Sequence, residues 1–235
     1  MPPGVLPNPR MVVKRWNGAG YDDVMANDDW ATNANAGDIT STAASLFAFA
    51  FNDSLEAALL LDLAPGQYTV VADDSTGASG LAIVELYDAD SAAVDSRLIN
   101  ISNRGFAGSG DQVMIPGFVI SAEGPRTLLV RVVGPTLGAA PFNVPNTMID
   151  PKLALYRTEA NGTNTLLNSQ DNWSDAQDAS TTAQVAEQVF AFPLAPGSKD
   201  AASVFTLQPG VYTVIGSSAD AVGTGVLLVE VYVVP

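Results

Sequence analysis

Leu63-Ala64-Pro65-Gly66-Gln67-Tyr68-Thr69-Val70 returns later in the chain as Leu207-Gln208-Pro209-Gly210-Val211-Tyr212-Thr213-Val214. Each copy is a turn leading into a strand. Pro presets φ at one turn position and Gly tolerates a positive φ at the next. The residues that follow, Gln67–Val71 and Val211–Ile215, are of the β-favouring kind. This repeat decides the fold, because it is one of an ordered set. Phe47-Ala48-Phe49 returns as Phe190-Ala191-Phe192, and Val84-Glu85-Leu86-Tyr87 as Val229-Glu230-Val231-Tyr232. Asp28-Asp29-Trp30 returns as Asp171-Asn172-Trp173, and Asn8-Pro9-Arg10-Met11 as Asp150-Pro151-Lys152-Leu153. Five matches in one order are a duplication.

Copy one is expected over residues 1–92, with an extended N-terminal segment, and copy two over 149–235. A β-rich connector, 93–148, lies between them and has no counterpart before copy one. The chain therefore reads as the tail of a longer modular array, or as a unit that borrows its missing strands from elsewhere. Leu81–Tyr87 and Val226–Val234 are almost continuously apolar, which predicts strands buried on both faces. Helix is expected only at Thr40–Phe49 and Thr181–Phe190. The fold class is all-β: two duplicated antiparallel β-sandwich copies, jelly-roll-like, joined by the connector.

Composition narrows the function. The chain of 235 residues has neither Cys nor His. Disulfides, thiol nucleophiles, imidazole acid/base chemistry and His or Cys metal ligands are excluded. A net charge of −15 argues against a nucleic-acid partner. No apolar run reaches the roughly 18–20 residues of a membrane span. The start, MPPGVLPNPR, has no apolar signal core, so export implies a leader already removed or lying outside this sequence. Charge follows the divisions: residues 1–92 carry −10, 97–140 carry +2, and 141–235 carry −6.

The copy-two pattern combines Asp171-Asn172-Trp173, Phe190-Ala191-Phe192-Pro193-Leu194, Pro209-Gly210-x-Tyr212-Thr213-Val214 and Val229-Glu230-Val231-Tyr232. It resembles a repeat of large secreted and surface proteins of environmental bacteria. The connector, from Leu98-Ile99-Asn100-Ile101-Ser102 to Arg131-Val132-Val133-Gly134-Pro135, resembles the segment that precedes each such repeat. More distantly, each copy is similar to the bacterial pre-peptidase C-terminal domain, a β-sandwich attached to secreted enzymes. The resemblance implies an exported accessory or structural role and no catalytic residues. Copy one departs from it in lacking the preceding connector.

The candidate sites each have two readings. Asp28, Asp29 and Asp171, beside Trp30 and Trp173, supply oxygen donors in a β-rich loop and could hold Ca²⁺; the plainer reading is an Asx turn whose Trp packs on the sandwich. Trp30 and Trp173 are also the candidates for stacking on a carbohydrate. Glu85 and Glu230 are expected to face solvent near an edge; the other reading is burial against an Arg such as Arg131. Carboxylate catalysis is the one enzyme chemistry the composition permits, and nothing marks a pair. Gly105, Gly108 and Gly110 mark a tight turn rather than a phosphate loop.

The sequence thus points to a non-enzymatic extracellular or cell-surface structural protein, without a cofactor unless Ca²⁺ binds. It is expected to assemble with itself into a filament, sheath or surface layer by strand addition. Pro9, Met11, Val12 and Val13, on the extended start, and Arg104 and Arg131, in the basic middle, are the candidate assembly residues. The alternative is a carbohydrate-binding or anchoring module of a secreted protein.

Overall fold

The computed structural model describes residues 4–90, 98–120 and 124–235. The chain divides into two units, 1–97 and 98–235. Unit 2 contains β4 (Asn100–Ala107), β5 (Gly117–Ile120), β6 (Arg126–Val133) and β7 (Pro151–Thr158). These are followed by β8 (Asn164–Gln170), β9 (Ala201–Leu207), β10 (Gly210–Ser218) and β11 (Gly225–Val233). Unit 1 contains β1 (Pro9–Trp16), β2 (Tyr21–Asn27) and β3 (Tyr68–Asp74). Every ladder between these strands is antiparallel.

Unit 2 is a complete sandwich. One sheet has the order β5-β10-β7-β8 and the other β4-β11-β6-β9. Their inner faces share one core, in which Leu153, Leu155 and Val214 of the first sheet pack with Val130, Val132, Leu227 and Val229 of the second. The sheets approach so closely at Gly216 that an added Cβ would lie 2.9 Å from a Val229 methyl and 3.3 Å from one of Val132. Each of these apolar side chains, fully withdrawn from water, contributes about 1.5–3 kcal/mol.

The segment read as a connector is not a spacer between lobes. Its strands β4, β5 and β6 are interleaved with the strands of copy two, and the unit boundary falls before them. The reason is the continuous apolar run of β11, which needs a ladder partner on each edge: β4 takes one and β6 the other.

Unit 1 repeats only part of this plan. Its sheet, β2-β1-β3, corresponds to β8-β7-β10 of unit 2. Both units place a helix after the Trp turn, Ala36–Ser45 and Ala179–Gln188, each starting and stopping some residues before the sequence-predicted span. The helices end on Phe47 and Phe190, whose φ of 57° and 56° is the left-handed conformation usually left to Gly at that position. Leu81–Tyr87, expected to be a buried strand, is neither a regular strand nor buried: Leu81 makes one bridge, to Val5, and the run is exposed. Its equivalents of β4 and β6 are absent from the described residues, so it has no ladder to join.

Candidate strand-acceptor site

Aligning the two copies shows what unit 1 lacks. Residues 57–63 stand where unit 2 has β9, and residues 80–88 where it has β11. The correspondence is structural as well as sequential. The Trp30 amide donates to the Glu56 carbonyl at 2.8 Å, as the Trp173 amide does to that of Asp200. The Ala58 amide donates to the Asn27 side chain at 3.0 Å, as that of Ala202 does to Gln170 at 2.9 Å. The Leu6 amide donates to the Leu81 carbonyl and the Leu81 amide to that of Gly4, just as the Met148 amide donates to the Val226 carbonyl and the Val226 amide to that of Asn146. Gly80 is required there: an added Cβ would lie 2.7 Å from the Gly4 carbonyl oxygen.

Both runs are thus held in place at their ends, yet beyond the Val5–Leu81 bridge their edges join no ladder among the described residues. In unit 2 the space between β9 and β11 is filled by β6, which pairs with both. The outer edge of β11 is covered by β4, and the outer edge of β10 by β5 and the stretch before it. All these strands come from residues 98–133. Among the described residues of unit 1 nothing occupies the three equivalent places. The apolar cost is visible side chain by side chain. Val84 is 53% exposed where Val229 is 1%, and Val70 is 37% exposed where Val214 is 0%. Leu63, Ile83 and Leu86 are exposed too. An unpaired row of backbone donors and acceptors flanked by bare apolar side chains is a template for another strand.

Unit 2 also shows how a filled slot handles charge. Arg131 of β6 stands opposite Glu230 of β11 and is itself 1% exposed. Its Nε donates to Glu230 Oε2 at 2.8 Å, its Nη2 donates to the same oxygen, and its Nη1 donates to the Phe192 carbonyl at 2.6 Å. The Tyr232 hydroxyl donates to Glu230 Oε1 at 2.8 Å. The guanidinium lies 4.2 Å from the Phe192 ring centroid and 5.6 Å from that of Tyr232. Burial, and then the charge of Glu230, push the Tyr232 phenol well above its ordinary value. Glu230 is therefore buried and paired, not solvent-facing as expected from sequence, because β6 brings Arg131 into register with it. Glu85, its counterpart, is exposed. Burial, and then the neighbouring charge of Glu85, push the Tyr87 phenol above its ordinary value, the same direction as at Tyr232. Phe49, the counterpart of Phe192, is exposed as well. No ion pair reaches Glu85 among the described residues.

The sequence-chosen residues fall as follows. Pro9, Met11, Val12 and Val13 lie on β1, which has β2 on one edge and β3 on the other; Val12 and Val13 are buried. The backbone of this strand is occupied within its own unit, so it is not a loose clasp. Arg104 lies exposed on β4, opposite Leu228, and Arg131 is taken up by its internal ion pair. Trp173 is buried and donates from Nε1 to the Ser198 hydroxyl at 3.1 Å. Trp30 is half-buried, stacked on Phe51 with centroids 4.7 Å apart, and donates to the Asp53 carbonyl. One face of the Trp30 ring is thus taken by Phe51, and the Trp173 ring is withdrawn from water. Asp28, Asp29 and Asp171 flank these Trp turns, and the Asp29 carbonyl accepts from the Thr32 amide and hydroxyl. Among the described residues no three acidic side chains converge on a point that could hold a metal ion. Residues 57–63 are the part of the site that sequence reasoning missed. Ala57-Ala58-Leu59-Leu60-Leu61 and Ala201-Ala202-Ser203-Val204-Phe205 share too few identities to be found, although Leu63 and Leu207 close both runs.

The chain is an all-β protein built on a duplicated antiparallel β-sandwich plan, complete in unit 2 and partial in unit 1. No family model matches it, and no curated protein matches it. Among solved structures it is similar to the pre-peptidase C-terminal domain of a collagenase from Bacillus anthracis, at 12% identity and a TM-score of 0.33, over 57% of this chain and 89% of that one. A protein from Sulfurospirillum deleyianum is similar at 9% identity and a TM-score of 0.29, over 58% of this chain and 98% of that one. The similarity is distant, as the motifs imply. No helix among the described residues is long and apolar enough to cross a membrane.

Proposed function

We propose that this chain is an extracellular structural module that joins an assembly by accepting β-strands at unit 1. One contrast carries the reading: the slot that β6 fills in unit 2 has both its walls in unit 1, residues 57–63 and 80–88, and nothing between them among the described residues. Burying Val84, Val70 and Leu63 to the extent of their counterparts, and pairing two strand edges, supplies the driving force. The Pro-rich start is part of the acceptor rather than the donor, since Gly4 and Leu6 anchor Leu81. The reading assigns the chain no catalysis. Secretion, which the resemblance implies, suits a protein that meets its partner outside the cell.

The test is assembly and strand uptake by the full chain, measured by light scattering, negative-stain microscopy and hydrogen exchange. Polymers of the chain alone, or uptake of an added peptide spanning residues 98–135, support the reading. A monomer that takes up no strand overturns it. Val84→Lys places a charge on a side chain already half in water, so unit 1 keeps its fold, while strand uptake falls at least tenfold.

A further inference from the structure

The acceptor does more than present apolar surface. It carries a buried-type carboxylate without its cation. In unit 2 the slot holds Glu230, Tyr232 and Phe192 around Arg131. In unit 1 the corresponding trio is Glu85, Tyr87 and Phe49, all three exposed. Every basic side chain of residues 4–90 lies on β1. Arg10 pairs with Asp73 and Lys14 with Asp23, and Arg15 reaches the Pro65 carbonyl and stacks on Tyr68. The missing component is therefore an arginine brought in on a strand.

Resting on the reading above, we propose that the partner of unit 1 is a polypeptide segment beyond the described residues, built like residues 98–133, whose central strand carries an arginine that pairs with Glu85. The registers of unit 2 fix where each residue of that strand sits. Counterparts of Val132, Arg131, Val130 and Leu129 face Val84, Glu85, Leu86 and Tyr87 on one side. On the other side the same four face Ala57, Ala58, Leu59 and Leu60. Period-two pleating turns the arginine to the same face as Glu85, and a slip of one residue moves it to the other face. Closing the slot withdraws Glu85 from water. A donor with an apolar residue at the arginine position leaves a buried carboxylate unpaired, and one with an acidic residue leaves two. The pair therefore selects both the donor and its register. The chain's own segment is not the donor, because β4, β5 and β6 are committed to β11, β10 and β9 of unit 2. Handing them to another copy would open one lobe for each lobe closed.

The test uses the full chain and a labelled peptide of residues 124–135, with binding followed by fluorescence anisotropy and its location by hydrogen exchange. The expected result is saturable binding with new protection at 57–63 and 81–87. Affinity falls at least tenfold for the peptide with Arg131→Met, and equally for the chain with Glu85→Leu. The two changes together cost no more than either alone. Glu85→Arg with an Arg131→Glu peptide restores binding lost by either reversal. Peptide that exchanges into unit 2 meets Glu230 and is insensitive to position 85. Equal binding of the Arg131→Met peptide overturns arginine selection and leaves strand addition standing. Polymers of the chain alone that exclude the peptide make a second copy the occupant and also overturn the inference. A chain that neither polymerises nor takes up peptide overturns the functional reading with it.

Discussion

Arg131 and Glu230 show what a single buried charge pair demands of its surroundings. Both carboxylate oxygens accept, three of the five guanidinium donors are used with three of its nitrogens engaged, and two rings flank the cation. Arg131→Met leaves Glu230 buried without a cation and should destabilise unit 2 by about 3–5 kcal/mol, read from denaturant unfolding. Adding Glu230→Leu should recover most of that loss. Glu85→Gln, at the exposed counterpart, should stay within about 0.5 kcal/mol in the isolated chain. A second residue-scale effect concerns acid. The Thr76 hydroxyl, with the amides of Asn8, Ala78 and Thr76, holds the Asp74 carboxyl down at about 2. The Ser218 hydroxyl and the amides of Gly223 and Val222 do the same for Asp220, also to about 2. A depressed carboxylate stabilises the fold above its unfolded value, near 4, and loses that contribution as pH falls through its folded value. The stability gap between the chain and its Asp74→Asn variant should be full at pH 5, narrow between about 4 and 2, and vanish below. Thermal unfolding across that pH series checks it.

Among the elements, the same sequence pattern has two fates. Val84-Glu85-Leu86-Tyr87 and Val229-Glu230-Val231-Tyr232 are close in composition, yet one is irregular and exposed and the other is a core strand. The difference lies outside the segment, in whether β4-like and β6-like neighbours are there to pair with it. Amides of 57–63 and 81–87 should exchange in the isolated chain at least a hundredfold faster than those of 201–207 and 225–233, by exchange mass spectrometry. This also explains what could be read in advance. The repeats, the all-β class, the helices and the incompleteness of copy one follow from local chemistry: Pro-Gly turns, apolar runs and a segment present once. Burial of Leu81–Tyr87 was expected because periodicity reports what a strand would do with neighbours, not whether it has them. The Arg131–Glu230 pair is not legible in the sequence for a related reason. Its two residues are far apart in sequence, and only the ladder register brings them opposite each other.

For the whole molecule, the ratio of parts is the informative quantity. Two lobes need two sets of β4–β6-type strands, and the described residues hold one. Exchange between identical chains preserves that ratio, so the function proposed above looks to strands beyond the described residues. The acceptor is expected to be latent until they arrive, with its walls pinned by Leu6–Leu81 and by the Trp30 turn. Saturation with the 98–135 peptide should raise the unfolding temperature of the full chain by several degrees, an effect that grows with peptide concentration, as linkage requires. Scanning calorimetry measures it directly.

The left-handed Phe47 and Phe190 have a consequence of their own. Each ring stands almost wholly in water, at 95% and 94% exposure, on a backbone that glycine would hold more comfortably. Both copies tolerate this conformational penalty and the wetting of an aromatic ring at the same place. Each ring stands just past the end of its own unit's short helix, one in each unit. Replacing both with glycine would relieve the backbone at the two helix ends and remove two rings that stand in water.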